Sequence, residues 1–149
     1  MPPLVVIDMQ PHFEKSMPKV EETVIEHIQE SKRQHDWIIL VRITDCGEIS
    51  DRIMNAVKEY DKVCVIDKEW NDGSNEILDC IGKQNISGEV LKVCGINTSA
   101  CVADTVYGLH KHDEIKKIII LSDACACPVD TRHEETIKNF RELQKLEVL

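Results

Sequence analysis

The sequence predicts an α/β fold: a three-layer α/β/α, Rossmann-like domain around a mostly parallel six-stranded sheet. Three observations carry this expectation. Short apolar, β-branched runs alternate with longer segments of helical period along the whole chain. The connections between them are short, which places helices on both faces of a parallel sheet with right-handed crossovers. The first run, Leu4-Val5-Val6-Ile7, is apolar on both faces, as a central parallel strand requires. The chain contains no repeat, linker or low-complexity tract, and its length suits one core, so residues 1–149 read as a single domain.

The elements follow in order. After the first strand, residues 18–34 carry an apolar stripe of Val20, Val24, Ile25 and Ile28 opposite Glu, Lys and Arg, with Pro18 suited to a first helical turn. Residues 37–43 read as the second strand. Residues 49–60 read as a helix started by Ser50 and Asp51, with Ile53, Met54 and Val57 inward. A third strand over 62–67 is followed directly by Lys68. Asn71-Asp72-Gly73-Ser74 forms a turn and cap before a helix over 76–85. Strand four covers 90–94, a helix 99–112, strand five 117–121, and a last helix 130–145 turns Ile137, Phe140 and Leu143 inward. Residues 146–149 read as a short edge strand.

Composition narrows the function. The chain is 42% apolar and 30% charged, with a net charge of −9, which disfavours nucleic acid and anionic membranes as partners. No apolar run reaches membrane-span length, and the N-terminus lacks a basic leader, so no signal peptide is expected. The seven cysteines are odd in number and irregularly spaced, with Cys64 and Cys94 inside apolar runs. That pattern suggests a reducing, cytoplasmic setting. Cys125 and Cys127 form a lone Cys-x-Cys, too little for a zinc site. Phosphate-binding glycine loops are absent.

The most informative stretch is Leu91 to Val102. A buried strand breaks at Gly95, and a helix led by Thr98 and Ser99 follows, with Cys101 in its first turn. A thiol there faces unpaired backbone N–H groups and the positive end of the helix dipole, which favour thiolate. The same residue also reads as a small apolar side chain packed in a helix. Asp8 and Lys68 each directly follow another strand, so all three could meet at the carboxyl edge of the sheet. A cysteine can attack an electrophilic carbon, a carboxylate can take and return its proton, and a lysine can balance the charge. Taken singly, Asp8 also reads as a strand-end cap and Lys68 as a solvated turn residue.

These residues resemble the isochorismatase-like cysteine hydrolases, a family that includes nicotinamidases, carbamoylsarcosine amidase and ureidoacrylate amidases. The resemblance lies in Val6-Ile7-Asp8-Met9-Gln10 with Phe13, Lys68, Gly95-Ile96-Asn97-Thr98-Ser99-Ala100-Cys101-Val102 with Thr105, Ser122-Asp123-Ala124, and His133-Glu134. It implies an Asp8–Lys68–Cys101 triad, a non-proline cis peptide between Ile96 and Asn97, and an oxyanion hole formed by the amides of Asn97 and Cys101. It also implies self-association, as a homo-oligomer of two or more copies.

Two departures from the family pattern bear on substrate. The stretch between Trp70 and Ser87 is compact. The region after strand two reads Thr44-Asp45-Cys46-Gly47-Glu48, without the histidines that metal-dependent nicotinamidases carry. Asp45 and Glu48 alone would hold zinc poorly, and His12 and His133 each read as surface or pocket residues. The expectation is therefore a metal-free, cofactor-free cysteine hydrolase of a small amide or related C–N bond, with Phe13 and Trp70 as candidate pocket walls. A vinyl-ether hydrolase of the isochorismatase type and a non-catalytic binding protein are the alternatives. Cys101 is expected to be the one fast-reacting thiol, its pKa modestly below about 8.5, with Cys46, Cys125 and Cys127 near loops and reachable.

Overall fold

The structure is a computed structural model that describes residues 1–149. Strands β1 (Leu4–Ile7), β2 (Ile38–Ile43), β3 (Val63–Lys68), β4 (Val90–Ile96), β5 (Lys117–Ala126) and β6 (Leu146–Val148) form one sheet in the order β3-β2-β1-β4-β5-β6. Every neighbouring pair is parallel. Helices α1 (Met17–Arg33), α2 (Asp51–Val57), α3 (Ser74–Lys83), α4 (Ala103–His110) and α5 (Asp130–Phe140) make the crossovers. The core is built on β1, β2 and β4, whose Leu4 to Ile7, Ile38 to Val41, Leu91, Val93 and Cys94 are all buried.

The order has a direct consequence. The chain winds from β1 outward through β2 to β3, then crosses back to β4 and winds the other way through β5 to β6. The winding reverses between β1 and β4, and the segments leaving these two strands diverge at their carboxyl ends. In open α/β sheets such a crevice is where ligands bind. β1 and β4 are held unusually close there. Gly95, paired with Ile7, has φ +120, and a Cβ at this position would lie 2.2 Å from the Ile7 carbonyl oxygen. Only glycine satisfies both demands.

Most elements lie within a few residues of where the sequence placed them, but α5 ends at Phe140, five residues short of the expected end, and Met54, expected inward on α2, is exposed. Three further differences have clear reasons. Lys68 is the last residue of β3, because its backbone continues the register opposite Ile43. The segment expected as one helix from Ser99 begins as a π-helical turn, Thr98–Val102, before α4. Here the Asn97 carbonyl accepts from both the Ala100 and Val102 amides. β5 runs to Ala126, past the expected end at Leu121. Its pairing with β4 shifts between Val93 and Gly95, so the polar Ser122-Asp123 sit in an irregularity of the strand.

Candidate active site

Three strand ends bring Asp8, Lys68 and Cys101 together. Asp8 leaves β1 in the left-handed region, with φ 54, a conformation that non-glycine residues hold only where the surroundings enforce it. Its amide donates to Val41, and its carbonyl accepts from Gln10. Gln10 is itself fully buried. It donates to the carbonyls of Ile43 and Gly47 and accepts from the Ile43 amide, which ties the segment after β1 to the end of β2. Lys68 is 1% exposed, and its Nζ lies 3.1 Å from Asp8 Oδ2. Nζ also donates to the Trp70 carbonyl at 2.9 Å. Gly73 leaves room for this buried stem, since a Cβ there would lie 2.8 Å from Lys68 Cδ.

Cys101 is 6% exposed and interacts with both partners. Its thiol also donates toward Asn71 Oδ1 at 3.5 Å. Asn71 is held by Thr105 of α4, whose hydroxyl donates to the Asn71 carbonyl and accepts from the Gly73 amide. Neither Asp8 oxygen has a well-aligned hydrogen-bond donor, so its lone pairs are open to a proton from the neighbouring thiol.

The electrostatics differ from the sequence expectation for Cys101. Burial, then the adjacent Asp8 carboxylate, push the thiol up to about 12, and the Lys68 charge only partly offsets them. The expected lowering, with fast labelling at Cys101, is therefore corrected: the resting group is a neutral thiol. The helix-dipole argument fails because desolvation and a like charge outweigh it. Burial likewise raises the Asp8 carboxyl above 3.8, with Lys68 and then Cys101 pulling the other way. Cys125 and Cys127 are buried rather than reachable, Cys125 because β5 continues through it, and Cys46 is the most exposed of the seven free cysteines. Such a site can transfer the thiol proton to Asp8 as sulfur bonds to carbon, with Lys68 beside the carboxylate throughout.

The Asn97 amide N–H donates to no protein group. The peptide bond joining Ile96 to Asn97 is cis. Asn97 and Phe13 share the lining of a 240 Å³ cavity with His12, Glu14, Lys15, Ser16 and Pro128; Asp8, Lys68 and Cys101 do not line it. Phe13 also packs against the core, edge-on to the His12 ring at 5.2 Å. Trp70 is placed differently from the expected pocket wall. The residue is 77% exposed and does not line this cavity; only its carbonyl engages the site, through Lys68.

The residues after β2 do not fit a zinc ion. His12, Asp45, Cys46, Glu48 and Asp51 line an open depression, but no three histidine, cysteine, aspartate or glutamate side chains converge there or elsewhere. The Glu48 carboxylate is engaged by Arg42, which also pairs with Asp67.

By fold this is a doubly wound three-layer α/β protein with a buried thiol, a carboxylate and a lysine at its switch point. A family model described as the Isochorismatase domain matches residues 2–148, and the chain belongs to that family of hydrolases. Among solved structures it is similar to a nicotinamidase from Staphylococcus aureus, with 19% identity, 99% of this chain and 98% of that one covered, and a TM-score of 0.85. A ribonuclease from Caenorhabditis elegans gives 17% identity over 98% of this chain and 75% of that chain, with a TM-score of 0.83. A pyrazinamidase of Pyrococcus horikoshii in complex with zinc gives 18% identity over 99% and 97%, with a TM-score of 0.79. None of the curated proteins matches. No helix is long and apolar enough to cross a membrane.

Proposed function

We propose that the chain is a metal-independent cysteine hydrolase of a small amide or related C–N bond. The observation that carries the reading is the buried Asp8–Lys68 pair, 3.1 Å apart, beside the buried Cys101 thiol. Asp8 takes the thiol proton as Sγ attacks the carbonyl carbon, and the oxyanion is received by the amides of Asn97 and Cys101. The unpartnered Asn97 N–H supports that assignment. Asp8 then protonates the leaving amine or ammonia as the C–N bond breaks, leaving a thioester. Water, deprotonated by Asp8, releases the acid and regenerates the thiol. A neutral resting thiol suits this sequence, because the proton is still in place to be passed to the leaving group. In this reading Phe13, which lines the cavity bordered by Asn97, is one wall for the substrate, and Trp70 lies outside it. The −9 charge favours a small molecule over nucleic acid as substrate. Self-association as a dimer or larger assembly and a cytoplasmic location belong to the same reading, and light scattering tests the first: 17 kDa at every concentration would refute it.

The test is a screen for ammonia release over a panel of small carboxamides and ureido compounds, with and without a chelator. Chelator-insensitive release that vanishes in Cys101→Ala is expected. Loss on chelation with recovery on adding zinc overturns the metal-independent part. Pyruvate release from isochorismate without ammonia from any amide would make the chain a vinyl-ether hydrolase, and ligand binding without turnover would make it a binding protein.

A further inference from the structure

One side chain of α5 reaches the turn that carries Cys101. The His133 Nδ1 stands 2.7 Å from the Thr98 hydroxyl. Thr98 is fully buried, directly follows Asn97, and opens the π-helical turn that carries Cys101. The turn's backbone bonds run within itself, to Asn97 before it and to Ala103 of α4 after it. His133 is thus a side-chain anchor tying this turn to a separate helix. A buried hydroxyl deprived of its partner loses stability, so the contact constrains where the turn can sit.

We propose that His133 is a positioning residue for the hydrolase reaction, acting through Thr98 to hold the Asn97 amide and the Cys101 sulfur in register. This rests on the reading of Asp8, Lys68 and Cys101 as a catalytic triad. The contact depends on protonation. With its proton on Nε2, the neutral ring offers Nδ1 as acceptor for the Thr98 hydroxyl. Once protonated, the ring can only donate, and the buried hydroxyl loses that acceptor. Burial lowers the ring below 6.5, against the upward pull of Asp130 and Glu134 on its own helix, with Lys19 of α1 also lowering it. Lys19 is itself paired with Asp130 at 2.9 Å. The neutral ring is therefore the form present at neutral pH, and acid breaks the anchor.

The experiment is the pH profile of kcat and KM between pH 4 and 8 for the wild type, His133→Ala, His133→Asn and Thr98→Val, on one amide that the wild type hydrolyses. An asparagine side chain can reach the place of Nδ1 and does not titrate. His133→Ala and Thr98→Val are expected to lower kcat by about tenfold to a hundredfold, with KM little changed. Their double variant should be no worse than either alone. His133→Asn should recover most of the rate, and its acid limb should lose one of two ionisations, keeping that of Asp8. Wild-type kcat in His133→Ala, or an acid limb of His133→Asn that superimposes on the wild type, overturns the inference alone. Failure of every amide with the wild type overturns the triad reading and this inference with it.

Discussion

Two aspartate–lysine pairs bracket the sheet, one at each edge. Asp8 and Lys68 meet at the carboxyl edge, 3.1 Å apart, with both side chains closed to solvent. Asp36 and Lys92 meet at the amino edge, 3.6 Å apart, with the lysine side chain 18% exposed. Asp36 sits just before β2, where its carbonyl accepts the Tyr60 hydroxyl. Their opposite charges are alike, so charge pairing by itself does not mark a site. The carboxyl-edge pair differs in its company: a buried thiol, a left-handed aspartate backbone, and a free Asn97 N–H in the crevice where the winding reverses.

Substitutions sharpen the contrast. The largest effect is expected at Cys101, where Cys101→Ser should lower kcat/KM by roughly a thousandfold or more, read by ammonia release. Asp8→Asn should cost about a thousandfold, because no group remains to accept and return the proton. The pH profile gives the sign. The active Asp8 is ionised, and burial raises its pKa above 3.8, so the rate is present above that raised value and lost as pH falls through it.

Lys68→Met should do two things at once. It leaves Asp8 buried without its counter-charge, which costs about 3–5 kcal/mol of stability in urea melts at neutral pH. It also removes the main influence lowering the Asp8 pKa, so any remaining activity should have its acid limb shifted upward. Stability should recover in part at low pH, where Asp8 takes a proton. The smallest effect on turnover is expected at the other edge. Lys92→Met should cost about 1–3 kcal/mol while leaving kcat/KM unchanged. If it abolished activity as Lys68→Met does, the two edges would not be functionally distinct.

Much of this contrast was legible in the sequence at the carboxyl edge and little of it at the amino edge. Asp8 and Lys68 ended apolar runs and Cys101 followed one by a turn, so the parallel topology alone brought them together. Gly95 at the strand break was equally visible. Asn71 and the His133–Thr98 contact were not, because each spans 30 or more positions and depends on how a loop or helix returns to the sheet. Asp36 and Lys92 gave no periodic signal as a pair. The sense of the Cys101 shift was misread because the local helix start was visible in sequence, whereas the depth of burial and the closeness of Asp8 were not.

The most direct measurement is acid-quenched turnover of an amide found in the screen, followed by peptide mapping by mass spectrometry. The account predicts an acyl adduct on the peptide containing Cys101, formed within the first turnover and absent from Cys101→Ser. Turnover at the wild-type rate in Cys101→Ser, or an adduct on any other cysteine that forms as fast as product, would contradict it.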